Sequence, residues 1–366
     1  MRARNWLITL VGVTVSLAGC VSTSSNTATP STVSSATTSA VAQAVTLPTL
    51  LPGQLEIDGD TGTMTPAEKP KFDASGADVL VKESFHGAAQ AYSELCSGQT
   101  DMVDSTTKIT AKQELACQHA GLKVVQFTLA ADGDVVTIEN DSDVGGDCLT
   151  TTQLQTIFRA GSPTLQWSQL GAGYLGVPLS TGGVGLGSAG FTLFDQAVLG
   201  SARPSLLDLR SDFHSFKTDD AARAWLVPAF TGRGVAANGR LAYFPFSYYT
   251  LYEEQLRPFE LTLPGKQNCI FPSQQTLLSG EYPLSQQYLI TTTTRSLERT
   301  EEKLFLSHYL KDASSLAQKR ELAQLPSTTL QTELGWVTDT DTAPLLGPAA
   351  TPTATPSPSD TNRPAS

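Results

Sequence analysis

The chain has 366 residues, enough for two domains or one large one, with 24 Lys and Arg against 35 Asp and Glu and a formal net charge of −11. Only 16% of residues are charged, against about 25% in ordinary globular proteins, while Ser, Thr, Ala and Gly are abundant, which points to an extracytoplasmic surface. The acidic balance and the lack of any basic cluster exclude wrapping around nucleic acid, which needs a basic face.

The N-terminus reads as an export signal. Arg2 and Arg4 precede a short apolar run over 7–15, followed by Leu17-Ala18-Gly19-Cys20. A basic start, a short apolar core and small residues before a cut make a secretory signal peptide, too short to span a bilayer comfortably. The cut site resembles the bacterial lipobox, which implies a signal peptide over 1–19 and a mature N-terminus at an acylated Cys20. Acyl chains there, palmitate among them, would hold the protein at a membrane, since each buried CH₂ adds about 0.8 kcal/mol. Losing Arg2 and Arg4 leaves 22 basic against 35 acidic residues, a net charge of −13. Residues 20–53 are Ser, Thr and Ala with almost no charge and cannot offset their ordering entropy, so they read as a flexible tether. Residues 326–366 end in Thr- and Pro-rich sequence and read as a disordered tail.

The folded region opens with an alternating strand over 55–58 that enters the turn Gly59-Asp60-Thr61-Gly62. A strand over 79–81, a helix over 87–95, a short buried strand at 102–103 and a helix over 111–119 closed by Gly121 follow. The β-branched runs 123–128 and 135–138 predict two strands, and Thr150 caps a helix over 150–158. The Gly-rich stretch 182–190 leads into a helix over 191–199, with another helix over 219–226. A strand over 241–244 precedes an aromatic patch, Phe246, Tyr248, Tyr249 and Tyr252, read as core or hinge packing. An amphipathic helix over 301–310 closes the fold. Strands alternating with helices argue for α/β architecture with ligands at the carboxyl ends of strands, where helix N-termini point free N–H groups. The Gly-rich run lacks the following Lys-Ser or Lys-Thr of a nucleotide loop.

Besides Cys20 there are four cysteines, Cys96, Cys117, Cys148 and Cys269, an even number that implies disulfides with three possible connectivities in an exported protein. Cys96 and Cys117 flank one strand-turn-helix unit, so the pairing read here is 96–117 and 148–269. The four His residues are scattered and no spacing suits a metal. No nucleophile elbow or paired-carboxylate spacing suggests an enzyme, and no cofactor is expected.

Several stretches, in order from about 55 to 310, resemble the phosphate-type substrate-binding proteins of bacterial ABC importers. Leu95-Cys96-Ser97-Gly98-Gln99-Thr100-Asp101-Met102 is similar to that family's Phe-Cys-Ala-Gly-Glu-Thr-Asp-Ile. Cys148-Leu149-Thr150, Trp167-Ser168, Tyr243-Phe244 with Tyr248-Tyr249, and Cys269-Ile270-Phe271-Pro272-Ser273 through Tyr282-Pro283-Leu284-Ser285 follow the family pattern too. The resemblance implies a two-lobe periplasmic-binding-protein-like fold with two hinge crossings and a cleft between the lobes. Lobe I is expected over 54–138 and 273–325, and lobe II over 139–272. A small oxyanion such as phosphate would be clamped in the cleft, and the closed form would dock on an ABC permease.

The ligand loops depart from that pattern. The family's Ser-Gly-Thr-Gly-Gly-Gly-Phe falls on 86–92, its Ala-Ser-Arg-Pro-Ile on 105–109 and its Asp-Ser-Gly-Ser-Gly-Thr on 185–190. A first-position hydroxyl, an Arg, and an Asp and Thr are thereby lost, and Thr107 and Gln286 stand where the family carries Arg. Lost charge-assisted hydrogen bonds cost about 1.5–3 kcal/mol each. The candidate ligand residues are Thr61, Thr63, Ser84, His86, Gly87, Ser105, Thr106, Ser188 and Gly190, while Lys108 reads as a solvated charge. Asp60 adds a charge that repels an anion unless it points away. The alternative reading is a divergent homologue that has lost the anion and serves as a cell-surface sensor or interaction protein.

Overall fold

The structure is a computed structural model that describes residues 47–228 and 238–346. The signal segment, Cys20 and most of the tether fall outside those residues. The first part alternates strand and helix as the pattern predicts: β1 (Gln54–Gly59), α1 (Thr65–Ala74), β2 (Leu80–Glu83), α2 (Ala88–Ser97), β3 (Met102–Ser105) and α3 (Ala111–His119). The middle holds β4 (Val124–Glu139), β5 (Cys148–Thr150), α4 (Thr151–Phe158), β6 (Ser180–Val184) and α5 (Ala189–Phe194). It continues through β7 (His214–Phe216), α6 (Asp219–Leu226), β8 (Arg240–Pro245), α7 (Phe246–Leu251), β9 (Leu256–Pro258) and β10 (Glu260–Thr262). The last part holds α8 (Gln274–Ser279), β11 (Ser285–Thr293), α9 (Thr294–Leu297), α10 (Thr300–Lys319), β12 (Ala323–Gln324), α11 (Ser327–Thr338) and β13 (Leu345–Leu346).

Local chemistry sets several boundaries. Thr110 with Gln113, and Thr150 with Gln153, form reciprocal capping boxes that start α3 and α4. Disulfides 96–117 and 148–269 both form, as the cysteine reading expects; the first ties α2 to α3 and the second ties β5 to the segment after β10. The helix expected over 191–199 is two pieces, because α5 gives way at Phe194 to a π-helical turn over Asp195–Leu199.

The two runs expected as separate strands are one strand, β4, because its partners carry it through the polar middle. β11 lies antiparallel along Val124–Gly133, and β8 takes over along Asp134–Thr137. Around β4 the main sheet runs β2-β1-β3-β11-β4-β8-β6-β7, with β9, β12 and β13 also on β4 and a separate β5–β10 pair. β1, β2 and β3 are parallel, as are β6, β7 and β8, whereas β11 and β4 run against their neighbours.

Among the described residues, the two larger of four apolar cores lie along this sheet. Leu55, Ile57, Phe127, Ala130, Ile290 and Phe305 share one, and Ala131, Val136, Phe158, Trp167, Tyr243 and Leu284 share the other. Each fully buried Leu, Ile, Val or Phe among them contributes about 1.5–3 kcal/mol. Core membership changes within β4, between Ala130 and Ala131, and on the return between Leu284 and Tyr288. Residues 134–138 pair with β8 and β9, and Leu277 and Tyr282 pack in the second core.

The tail expected to be disordered from 326 instead folds through 346. Val337 and Ala343 are buried in the first core, with Leu330, Leu334 and Trp336 packed against it. Trp336 lies 6.0 Å from the ring of Phe127. The helical spacing of Leu330, Leu334 and Val337 gives α11 an apolar face beneath its Thr-rich surface.

Candidate ligand site

The loops that leave β1, β2 and β3 meet at the N-terminus of α2, because β1 lies between its two parallel neighbours. At Gly59 the chain passes so close to the next strand that a Cβ would stand 1.8 Å from the Asp104 carbonyl oxygen. Only glycine permits this approach. The next residue, Asp60, turns its carboxylate inward. Its Oδ1 accepts from the Ala88 backbone N–H at 2.8 Å, and its Oδ2 accepts from the Ser105 hydroxyl at 2.6 Å and the Thr106 N–H at 3.3 Å. Ala88 is the first residue of α2, so its N–H is one of those the helix leaves unpaired.

Several predicted residues converge here. Ser105 is buried and its hydroxyl also donates to the Thr107 carbonyl at 3.1 Å. Gln286 of β11 donates from Nε2 to Thr106 Oγ1 at 3.2 Å, linking the hinge strand to the loop. Gly87 N–H donates to the Gly59 carbonyl at 2.9 Å, and Ser84 N–H to the Ile57 carbonyl at 2.8 Å. Thr63 is buried and its hydroxyl reaches the Asp60 carbonyl at 3.3 Å, whereas Thr61 is exposed at the turn.

His86 is committed elsewhere. Its Nδ1 lies 3.0 Å from Asp58 Oδ2, and its backbone N–H donates to Asp58 Oδ1, also at 3.0 Å. The hydrogen bond to Asp58, and then its charge, raise the His86 pKa above the usual imidazole range. Asp58 itself is pushed up by burial, but hydrogen bonds from His86 and Gly59 outweigh that and hold it below the ordinary carboxylate range. Among the described residues, Asp58, His86 and Glu94 are the one grouping of acidic and imidazole groups close enough to hold a metal ion. The Asp58 carboxylate already takes His86 and two backbone N–H groups, which makes this an ion pair rather than an open ligand set. Lys108 reaches the Ser279 carbonyl at 3.5 Å on an exposed surface, and the Arg320 guanidinium donates to the Gly62 and Thr63 carbonyls at 2.7 and 2.8 Å.

Ser188 and Gly190 lie on the lobe II side, at the start of α5. Ser188 caps that helix by accepting from the Phe191 N–H at 3.0 Å. Gly190 is buried against Asp134 of β4, and a Cβ there would meet Asp134 Oδ1 at 2.9 Å. Asp134 is buried with no hydrogen-bond partner for either carboxylate oxygen. Burial, and then the charges of Asp132 and Asp219, push its pKa well above the ordinary range. Next to this region lies a groove of about 310 Å³ lined by Asp219, Pro245 and Tyr248 and by Gln318, Glu321 and Gln324.

Asp60 and Asp134 are the residues sequence reasoning placed least well. Asp60 is named there only as a repelling charge, and its inward turn depends on β1 and β3 being neighbours. Asp134 carries no local signal, because its isolation follows from the packing of α5 and β8 on β4.

No protein-family profile matches the chain. It is 23% identical over 261 residues to protein SphX of Synechococcus elongatus, covering 70% of this chain and 72% of that one. It is 25% identical over 256 residues to SphX of Synechocystis sp., covering 69% and 71%. The phosphate-binding protein PstS of Staphylococcus saprophyticus is 21% identical over 279 residues, covering 75% and 82%. Among solved structures, a possible phosphate binding protein from Planctomyces limnophilus matches with a TM-score of 0.59 and 23% identity, over 78% of this chain and 98% of that one. PstS from Borrelia burgdorferi matches with a TM-score of 0.54 and 13% identity, over 75% and 99%. The chain therefore has a two-lobe periplasmic-binding-protein-like α/β fold. SphX and PstS proteins are its homologues, similar to it over 70–75% of the chain.

Proposed function

We propose that this protein is an extracytoplasmic solute-binding component of an ABC importer that clamps a small oxyanion, phosphate first among them, between its two lobes. The observation that carries the reading is the ordered similarity to phosphate-binding homologues across most of the chain, on a fold whose β1, β2 and β3 loops gather backbone and hydroxyl donors at the start of α2. Lobe I would comprise the segments on either side of the β4 and β11 crossings, lobe II the residues between, and ligand would favour the closed arrangement. The closed form would dock on a membrane permease. No helix among the described residues is long and apolar enough to cross a membrane. Attachment would come from Cys20, acylated after removal of the signal peptide over 1–19. Metabolic labelling with a fatty acid tests the anchor: label is expected on the wild type and absent from C20S.

Isothermal titration of purified monomer with phosphate, sulfate and molybdate tests the ligand. Heat with phosphate is expected. No heat with any of the three would overturn the oxyanion reading in favour of a cell-surface sensor or interaction protein.

A further inference from the structure

We infer that Asp60 is a tethered anion that governs which solutes the lobe I half of the cleft accepts: its carboxylate holds the donors a bound oxyanion would need, so an anionic solute must compete with it. This rests on the reading that the cleft takes a small oxyanion. Both oxygens are engaged, and the donors come from two separate elements, the first turn of α2 and the end of β3 with its following loop. A carboxylate at a helix N-terminus is stabilised by the unpaired N–H groups and the helix dipole, as a free oxyanion would be. Ser105 is fully buried, so its hydroxyl has no solvent-facing alternative to Asp60 Oδ2 and the Thr107 carbonyl.

The surrounding cations do not offset the charge. His86 pairs with Asp58, Lys108 reaches the Ser279 carbonyl, and Arg320 holds the carbonyls of Gly62 and Thr63. Gln286 brings only a neutral amide to Thr106. A dianion entering beside Asp60 would therefore meet an uncompensated like charge and find its donors in use. Removing the carboxylate frees the Ala88 N–H, the Ser105 hydroxyl and the Thr106 N–H together.

The test is phosphate titration by calorimetry of wild type, D60S and D60N side by side, with thermal unfolding as a check that each is folded. D60N keeps an acceptor for the Ala88 N–H and so guards against a D60S variant that loosens the loop. The inference expects D60S to bind phosphate at least tenfold more tightly than wild type, with D60N between them. Tighter binding by D60S with a silent wild type would uphold the inference while overturning phosphate as the native ligand. Wild type that binds, with D60S and D60N equal or weaker, would overturn the inference and leave the oxyanion reading standing. Silence from all three would overturn both.

Discussion

At the start of α2 the Asp60 carboxylate receives hydrogen bonds from Ala88, Ser105 and Thr106, whereas beside the start of α5 the Asp134 carboxylate lies against Gly190 with neither oxygen partnered. What separates them is the supply of donors, not the residue type. On the lobe I side two loops converge because β1 sits between β2 and β3, and their N–H and O–H groups hydrogen-bond the carboxylate without neutralising its charge. On the lobe II side the Ser188 hydroxyl donates to the Gly185 carbonyl while accepting from the Phe191 N–H, and the neighbouring charges are the carboxylates of Asp132 and Asp219. A buried carboxylate without donors is held towards its neutral form. One acid thus competes for anion donors, and the other is an acid whose charged form burial disfavours.

The sharpest way to separate the lobes is through their disulfides. Cys148–Cys269 closes a sequence separation of 121 and Cys96–Cys117 one of 21. In the chain-entropy model the first stabilises by about 5 kcal/mol and the second by about 3 kcal/mol. Urea unfolding of C148S/C269S and C96S/C117S is expected to show the larger loss for the lobe II pair. An equal loss would mean that residual structure or enthalpy, rather than loop closure, sets the contribution.

The next effect isolates Asp134. Its folded pKa is raised above its unfolded value near 4, so the folded state binds more protons across that interval and stability falls as pH climbs through it. At full effect one such group lowers stability by about 1.4 kcal/mol per pH unit. The contribution is intact below the unfolded pKa and is lost as pH rises through the folded one. D134N has no carboxyl to ionise, so its stability curve from pH 4 upward is expected to be flatter than that of wild type. Glu333, pushed up to about 8 by burial, adds a slope of the same sign, which is why the difference between the two curves is the readout. Identical slopes would mean that solvent or an ion reaches Asp134.

A smaller effect concerns the helix cap beside Asp134. Replacing Ser188 by Ala removes the acceptor for the Phe191 N–H and is expected to cost about 1 kcal/mol in urea unfolding. If that freed N–H then turned to Asp134, the S188A variant would also show a flatter pH profile than wild type.

The legible parts of the fold are those with local signatures. α3 and α6 occupy the predicted residues because Thr110 and Thr218 cap them, and the disulfide pairing follows from two nearby cysteines and two remaining ones. β11 is the main omission. Its Ser-Gln-Gln-Tyr-Leu-Ile-Thr-Thr-Thr sequence has no alternation, yet it lies buried between β3 and β4. Its polar groups are tolerated because partners arrive from elsewhere, such as Gln126 on Thr291 and the Asp101 carbonyl on Thr292. α1 is obscured by Pro66 and Pro70, and α11 by its Thr-rich surface. The loops of the candidate site were legible, but the direction of Asp60 was not, since it depends on donors some 28 and 45 residues away in sequence.

His86 supplies the smallest effect and a test of how charge is allotted around the lobe I loops. Because its hydrogen bond to Asp58 raises its pKa, the imidazole is expected to titrate above about 6.5 in an NMR pH series. For this group the paired, protonated form contributes stability below the unfolded pKa, and that contribution is lost as pH rises through the folded one. D58N is expected to move the midpoint down towards the ordinary value. Since the charge is spent on Asp58, saturating phosphate should leave the His86 midpoint where it is in the wild type. A phosphate-dependent rise would place the imidazole on the anion instead, and would mean that the lobe I half draws on a cation after all rather than on the donors held by Asp60.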